Sequence, residues 1–213
     1  MYRAALFDLD GTLIDTEPRS RAAWSRLLAR HGVGAGGPSV DDFAGRPPRE
    51  VLREHLHCFP GHGVEDLIGE VQRYVAGPDM PAAPPVPGAL AFVRRLSSAG
   101  VPVGVVTSAP REYAVAELRG AGLLGLLDTL VTCDDVRAGK PDPEGYLTGC
   151  RTLGAAPHET VVFEDAPAGV TAAKRAGAYC IALTTSMSAR SLAHADLVIA
   201  DLTEATWPLA AAA

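Results

Sequence analysis

Asp8 and Asp10 stand two residues apart in Phe7-Asp8-Leu9-Asp10-Gly11-Thr12, and Glu164 and Asp165 stand side by side far along the chain. Four carboxylates drawn into one crevice would repel one another unless a cation neutralised them, and an all-oxygen ligand set at a partly hydrated site suits Mg²⁺. Thr107 and Ser108 offer hydroxyls and Lys140 a fixed positive charge, the groups that hold phosphoryl oxygens beside such a metal. These residue types together point to chemistry on a phosphate ester. Asp8 and Asp10 alone would read as a solvated turn before Gly11; the argument rests on where the other groups fall.

Each group follows an apolar run. Ala4-Ala5-Leu6-Phe7 is continuously hydrophobic, as expected of a parallel strand covered on both faces, and it ends at Asp8. From Gly88 onward the pattern alternates: helices over 89–98, 111–121, 144–153 and 168–176, strands over 101–106, 129–133, 160–163 and 180–184, and a further strand at Leu197-Val198-Ile199. Such alternation predicts an α/β fold, a Rossmann-like parallel sheet with crossover helices on both faces. Asp8 and Asp10 then follow the first strand, Thr107 and Ser108 the second, Lys140 the third, and Glu164 and Asp165 the fourth. All lie at carboxyl ends, where open α/β sheets bind ligands.

Residues 16–87 interrupt this order. Trp24, Leu27, Leu28 and His31 recur at helical spacing, as do Val64, Leu67, Ile68, Val71 and Val75, with shorter helical stretches at 39–43 and around Val51, Leu52 and Leu56. Pro78, Pro81, Pro84, Pro85 and Pro87 then make a stiff, extended connector. The expectation is a discontinuous catalytic core, 1–15 and 88–213, carrying an all-helical cap at 16–87 with a proline-rich hinge.

The balance of 213 residues sets limits. A net charge of −6, with Lys and Arg scattered among acids, offers no basic stripe for nucleic acid, and no apolar run approaches the length of a membrane span. Asp8 arrives too soon for a secretory signal. Cys58, Cys133, Cys150 and Cys180 form no Cys-x-x-Cys pair, so they read as reduced, buried thiols rather than metal clips or disulfides. A cytoplasmic monomer acting on a small molecule, without nucleic-acid or membrane partners, is expected.

Asp8-Leu9-Asp10-Gly11-Thr12, Thr107, Lys140-Pro141-Asp142-Pro143 and Glu164-Asp165, in this order and spanning nearly the whole chain, resemble the four motifs of the haloacid dehalogenase superfamily. The helical insertion after the first motif resembles the small cap of its β-phosphoglucomutase and sugar-phosphate phosphatase subgroup. The resemblance implies Asp8 as nucleophile, forming an aspartyl-phosphate. Asp10 would be general acid and then base, and Lys140 would offset charge around the nucleophile. It implies Mg²⁺ on Asp8, the Asp10 carbonyl and Asp165, with Glu164 binding through water or orienting the shell. In the cap, Arg49, with Arg46 beside it, would hold substrate oxygens. The mutase pattern Thr-x-x-x-His is matched here by Thr16 and Ser20, without its histidine. The expected activity is therefore Mg²⁺-dependent hydrolysis of a small phosphate ester, such as a sugar phosphate. A mutase, or a non-catalytic relative that binds ligand only, stands as the alternative.

Overall fold

The computed structural model describes residues 2–43, 46, 48–75, 77, 79–81 and 83–207; Pro78 of the connector lies outside them. Six strands, β1 (Ala4–Phe7), β2 (Val103–Val106), β3 (Thr129–Val131), β4 (Thr160–Glu164), β5 (Tyr179–Leu183) and β6 (Leu197–Ile199), form one sheet in the order β3-β2-β1-β4-β5-β6. Every pairing is parallel, with Ala5 of β1 opposite Val103 on one side and Val161 on the other. The helices in chain order are α1 (Glu17–Arg30), α2 (Pro48–Glu54), α3 (Val64–Val75), α4 (Ala89–Ser98), α5 (Arg111–Gly120), α6 (Glu144–Leu153) and α7 (Pro167–Ala176). This is a Rossmann-like α/β fold, and β1 and β4 lie at the point where the strand order reverses.

The strands read as unbroken apolar runs because both faces are covered. On one face α6 packs on β1, β2 and β3 and α7 on β4 and β5, burying Leu6, Val106, Val162, Cys150 and Val170 together. On the other, Phe7 stacks on Phe163 with ring centroids 4.6 Å apart, and Phe92 of α4 meets both edge-on at 6.0 and 5.3 Å.

Strand ends differ from the hydrophobic pattern where the backbone is otherwise engaged. β2 starts at Val103 rather than 101, since the Val101 N–H donates to Leu96 O and Pro102 has no N–H to give. β3 stops at Val131 because Thr132–Asp135 closes a capped turn. The Asp135 carboxylate accepts from the Thr132 N–H and hydroxyl, both at 2.8 Å, and pairs with Arg111 at 2.6 Å. The Thr132 N–H, against an opposing contribution from burial, leads in holding the Asp135 carboxyl below its ordinary value, helped by the Thr132 hydroxyl and Arg111. A depressed carboxylate stabilises the fold above its unfolded-state pKa and loses that contribution as pH falls through the folded one. Asp135→Ala is thus expected to cost about 1 kcal/mol at neutral pH, with the gap from the parent narrowing in acid; paired denaturant melts across pH measure it.

By its internal contacts the chain divides into two compact units, Met1–Asp15 with Pro84–Ala213, and Thr16–Ala83. Residues 84–87, read above as connector, belong with the first because the Asp15 N–H donates to Pro84 O and the Val86 N–H to Leu13 O. The second unit has its own core: Trp24 stacks on Phe43 at 3.9 Å, and Leu27, Val51, Leu52, Phe59 and Leu67 are buried with them. Glu70 of α3 is buried among these apolar residues. Its carboxylate takes the Tyr74 hydroxyl at 2.6 Å and faces His31 and Arg30 at 3.1 Å each. Of the four thiols expected to be buried, Cys150 and Cys180 are, whereas Cys133 is exposed in the turn after β3 and Cys58 is half-buried.

Candidate active site

The first strand delivers Asp8 by continuing its ladder one residue, the Asp8 N–H donating to Phe163 O at 2.9 Å. The chain then turns sharply, with Leu13 and Ile14 N–H groups both donating to Leu9 O at 2.9 Å. Gly11 sits in this turn at φ +81°, where a side chain would be strained and a Cβ would run into the Asp165 carboxylate and the Ser186 hydroxyl. Thr12 is fully buried and donates to Asp165 Oδ1 at 3.3 Å, while the Thr185 hydroxyl donates to Gly11 O. The turn and the end of β4 are thereby tied together.

Lys140, carried in from the segment between β3 and α6, places its ammonium between Asp8 Oδ1 and Glu164 Oε1, the latter at 2.6 Å. The Tyr146 hydroxyl donates to the same Glu164 oxygen at 2.6 Å, and the second oxygen accepts from the N–H groups of Asp165 (3.1 Å) and Ala166 (3.3 Å). Four donors therefore fill a carboxylate that is only 1% exposed. A Cβ at Gly169 would coincide with that carboxylate, so α7 approaches it as only glycine allows. Gly169→Ala is expected to cost about 2 kcal/mol through overpacking and to reduce turnover by displacing Glu164 and, through it, Lys140. Thermal melting together with kcat on one substrate checks both effects.

Asp8, Glu164 and Asp165 each offer an oxygen within 4.8 Å of the others, and all three are buried. Burial raises the Asp8 carboxyl well above its ordinary value; Lys140 opposes this, while Glu164, Asp165 and Asp10 add to it. Burial, then Glu164, pushes Asp165 up to about 7 against the pull of Ser186, Lys140 and Thr12. Burial disfavours the Lys140 charge, yet Asp8 and Glu164 outweigh it and hold the ammonium above its usual value. Burial likewise raises the Tyr146 phenol, reinforced by Glu164 and Asp8, so it serves as a donor. One ammonium against three packed carboxylates leaves a negative excess with hard oxygen donors only, which fits a divalent cation of the Mg²⁺ kind.

Around this centre, Thr107 is buried after β2 and accepts the Ala109 N–H at 3.0 Å, which sets the loop, while Ser108 beside it is exposed. A cavity of about 280 Å³ is walled by Val106, Thr107, Ser108, Val131, Lys140 and Tyr146. The Asp10 carboxylate accepts a hydrogen bond from the Tyr113 hydroxyl of α5 at 2.8 Å. Arg46 and Arg49 lie in the smaller unit. There Arg46 pairs with Glu54 at 2.6 Å, and Arg49 grips both oxygens of Glu65 at 2.9 Å. The sequence alone points to Thr12 only as part of the first motif, and not to Tyr113, Tyr146 or Ser186. Tyr146, six residues after Lys140 on the apolar side of α6, carried a faint signal; Tyr113 carried none.

A family model of haloacid dehalogenase-like hydrolases matches residues 2–177. The chain is 53% identical to validoxylamine A 7'-phosphate phosphatase of Streptomyces hygroscopicus subsp. limoneus over 98% of each chain. It is 36% identical to hexitol phosphatase A of Escherichia coli, covering 94% of this chain and 92% of that one. Among solved structures it is similar to CbbY from Rhodobacter sphaeroides in complex with xylulose-1,5-bisphosphate, with a TM-score of 0.68 at 25% identity over 96% of each chain. With the order of its motifs, its sheet and these likenesses in agreement, the chain belongs to the haloacid dehalogenase-like hydrolases and is an enzyme of the phosphatase kind.

Proposed function

We propose that this enzyme hydrolyses a small polyhydroxylated phosphate, a sugar phosphate or a related polyol phosphate, with Mg²⁺ and through an aspartyl-phosphate on Asp8. The observation that carries the reading is the Lys140 ammonium bonded to Asp8 and Glu164, with Asp165 within reach of both carboxylates. In the first half-reaction an Asp8 oxygen forms a bond to phosphorus, the ester P–O bond breaks, and the departing alkoxide takes a proton from Asp10. In the second, Asp10 takes a proton from water, the water oxygen bonds to phosphorus, and the P–O bond to Asp8 breaks to release inorganic phosphate. Lys140 favours the anionic form of Asp8 against the effect of burial and, with Thr107 and Ser108, holds phosphoryl oxygens.

Asp8, Asp165 and the Asp10 carbonyl would hold Mg²⁺, which when bound neutralises charge on the phosphoryl group. Glu164, its oxygens already filled by four donors, is assigned to fixing Lys140 and the turn at 164–166 rather than to direct ligation. The helical unit, residues 16–83, acts as the cap, and its Arg46 and Arg49 are candidates for contacts with the distal part of the substrate. The named substrates of the two phosphatase relatives support a polyhydroxylated ligand.

Water is the assigned acceptor because Ser20, in the first turn of α1, stands where the mutase pattern has histidine and cannot titrate in its place. Phosphate release from a panel of sugar, polyol and short-chain phosphates with Mg²⁺ tests the reading. Conversion of β-glucose 1-phosphate plus a trace of its 1,6-bisphosphate into glucose 6-phosphate, without phosphate release, would overturn it in favour of a mutase.

A further inference from the structure

Both ends of the Tyr113 to Asp10 hydrogen bond are held in place. Asp10 belongs to the turn that Leu9 O gathers, and its neighbour Gly11 donates its N–H to Ile14 O at 2.7 Å. Tyr113 lies in the first turn of α5, and Arg111, two residues before it, is tied down three times: its N–H to Asp134 Oδ2 (2.9 Å), its guanidinium to Leu130 O (3.2 Å) and to Asp135 (2.6 Å). The loop before α5 is set by Thr107 accepting the Ala109 N–H. The phenol is half-buried, and its bond to Asp10 Oδ1, at 2.8 Å, joins positions 103 residues apart. A carboxylate on a single Cβ has two side-chain torsions, the second one broad, and a hydrogen bond to one named oxygen narrows the direction of both.

We propose that Tyr113 is a positioning residue for Asp10. By donating to Oδ1 it fixes the carboxyl plane, so that the other oxygen carries the proton toward the oxygen of the departing alcohol. The inference rests on the reading of Asp10 as general acid and deepens it, since it says what aims that acid. Proton delivery matters most for an alkoxide leaving group and least for a stabilised phenolate, so a misaimed acid should show itself as discrimination between esters.

The test compares kcat/KM, which reports steps through phosphoryl transfer to the enzyme, on p-nitrophenyl phosphate and p-nitrobenzyl phosphate. The two esters share a ring and differ in whether the leaving oxygen needs a proton. For Tyr113→Phe, which keeps the ring and removes the hydroxyl, kcat/KM on the benzyl ester is expected to fall about tenfold and on the phenyl ester less than about twofold. An equal fall on both esters, or no fall on either, overturns the proposal. Asp10→Asn separates this from the underlying reading: if it too fails to discriminate between the esters, Asp10 is not the acid. If it discriminates strongly while Tyr113→Phe does not, Asp10 stands and Tyr113 does not aim it.

Discussion

Asp8→Asn is expected to fold as the parent does and to lose turnover by about ten-thousandfold or more, because an amide neither attacks phosphorus nor serves as an anionic ligand. The fold should survive because the substitution is isosteric and removes one charge from a crowded group: Asp8 is buried beside Glu164 and Asp165, and its carboxyl is held well above the ordinary range. Parent enzyme quenched during turnover should carry a phosphoryl group on the peptide containing Asp8, and the variant should not. Circular dichroism establishes folding and phosphate release gives the rate. Retained turnover in Asp8→Asn, or a phosphorylated peptide elsewhere, would remove Asp8 from the nucleophile's place.

Lys140→Met should damage both stability and activity. Its ammonium is the positive partner that the structure sets between Asp8 and Glu164, and the side chain is only 12% exposed. Taking one partner from a buried ion pair leaves the other uncompensated, at about 3 kcal/mol, and turnover should fall about a thousandfold as the charge beside Asp8 is lost. Saturating Mg²⁺ should restore part of the melting temperature, since it supplies positive charge to the same carboxylates, but little of the rate. Lys140→Arg should not rescue turnover, because a planar guanidinium cannot occupy the position of a compact ammonium. Melting with and without Mg²⁺, alongside kcat, separates the two contributions. Equal stability of parent and Lys140→Met without metal would show that Lys140 does not balance the carboxylates.

The sheet was legible because each strand is short, apolar and followed by a polar break. Ala4–Phe7 and Thr160–Glu164 need no context to read as buried strands, and covered faces explain why their hydrophobicity does not alternate. The positions of Asp8, Lys140, Glu164 and Asp165 followed from those strand ends. Their partners did not. Tyr146 and Glu164, Thr12 and Asp165, and Tyr113 and Asp10 are joined by folding alone, with no periodicity or local motif linking them. The arginines show the converse: Arg46 and Arg49 read as free to face a ligand, and only the packed helices reveal Glu54 and Glu65 beside them. Burial of Glu70 was hidden for the same reason, since His31, which meets it, sits at the end of a different helix.

The parallel order β3-β2-β1-β4-β5-β6 also bears on how the molecule comes into being. The first strand pairs with neighbours far along the chain, Val103 beyond the whole helical insertion and Val161 beyond most of the rest. Such non-local pairing closes slowly, whereas the insertion, built from helices close in sequence, satisfies its contacts quickly. The helical insertion is therefore expected to fold ahead of the sheet, and the carboxylate cluster requires β4 beside β1. A chain ending before residue 160 would hold Asp8 without Glu164 and Asp165, and so without the three-carboxylate cluster.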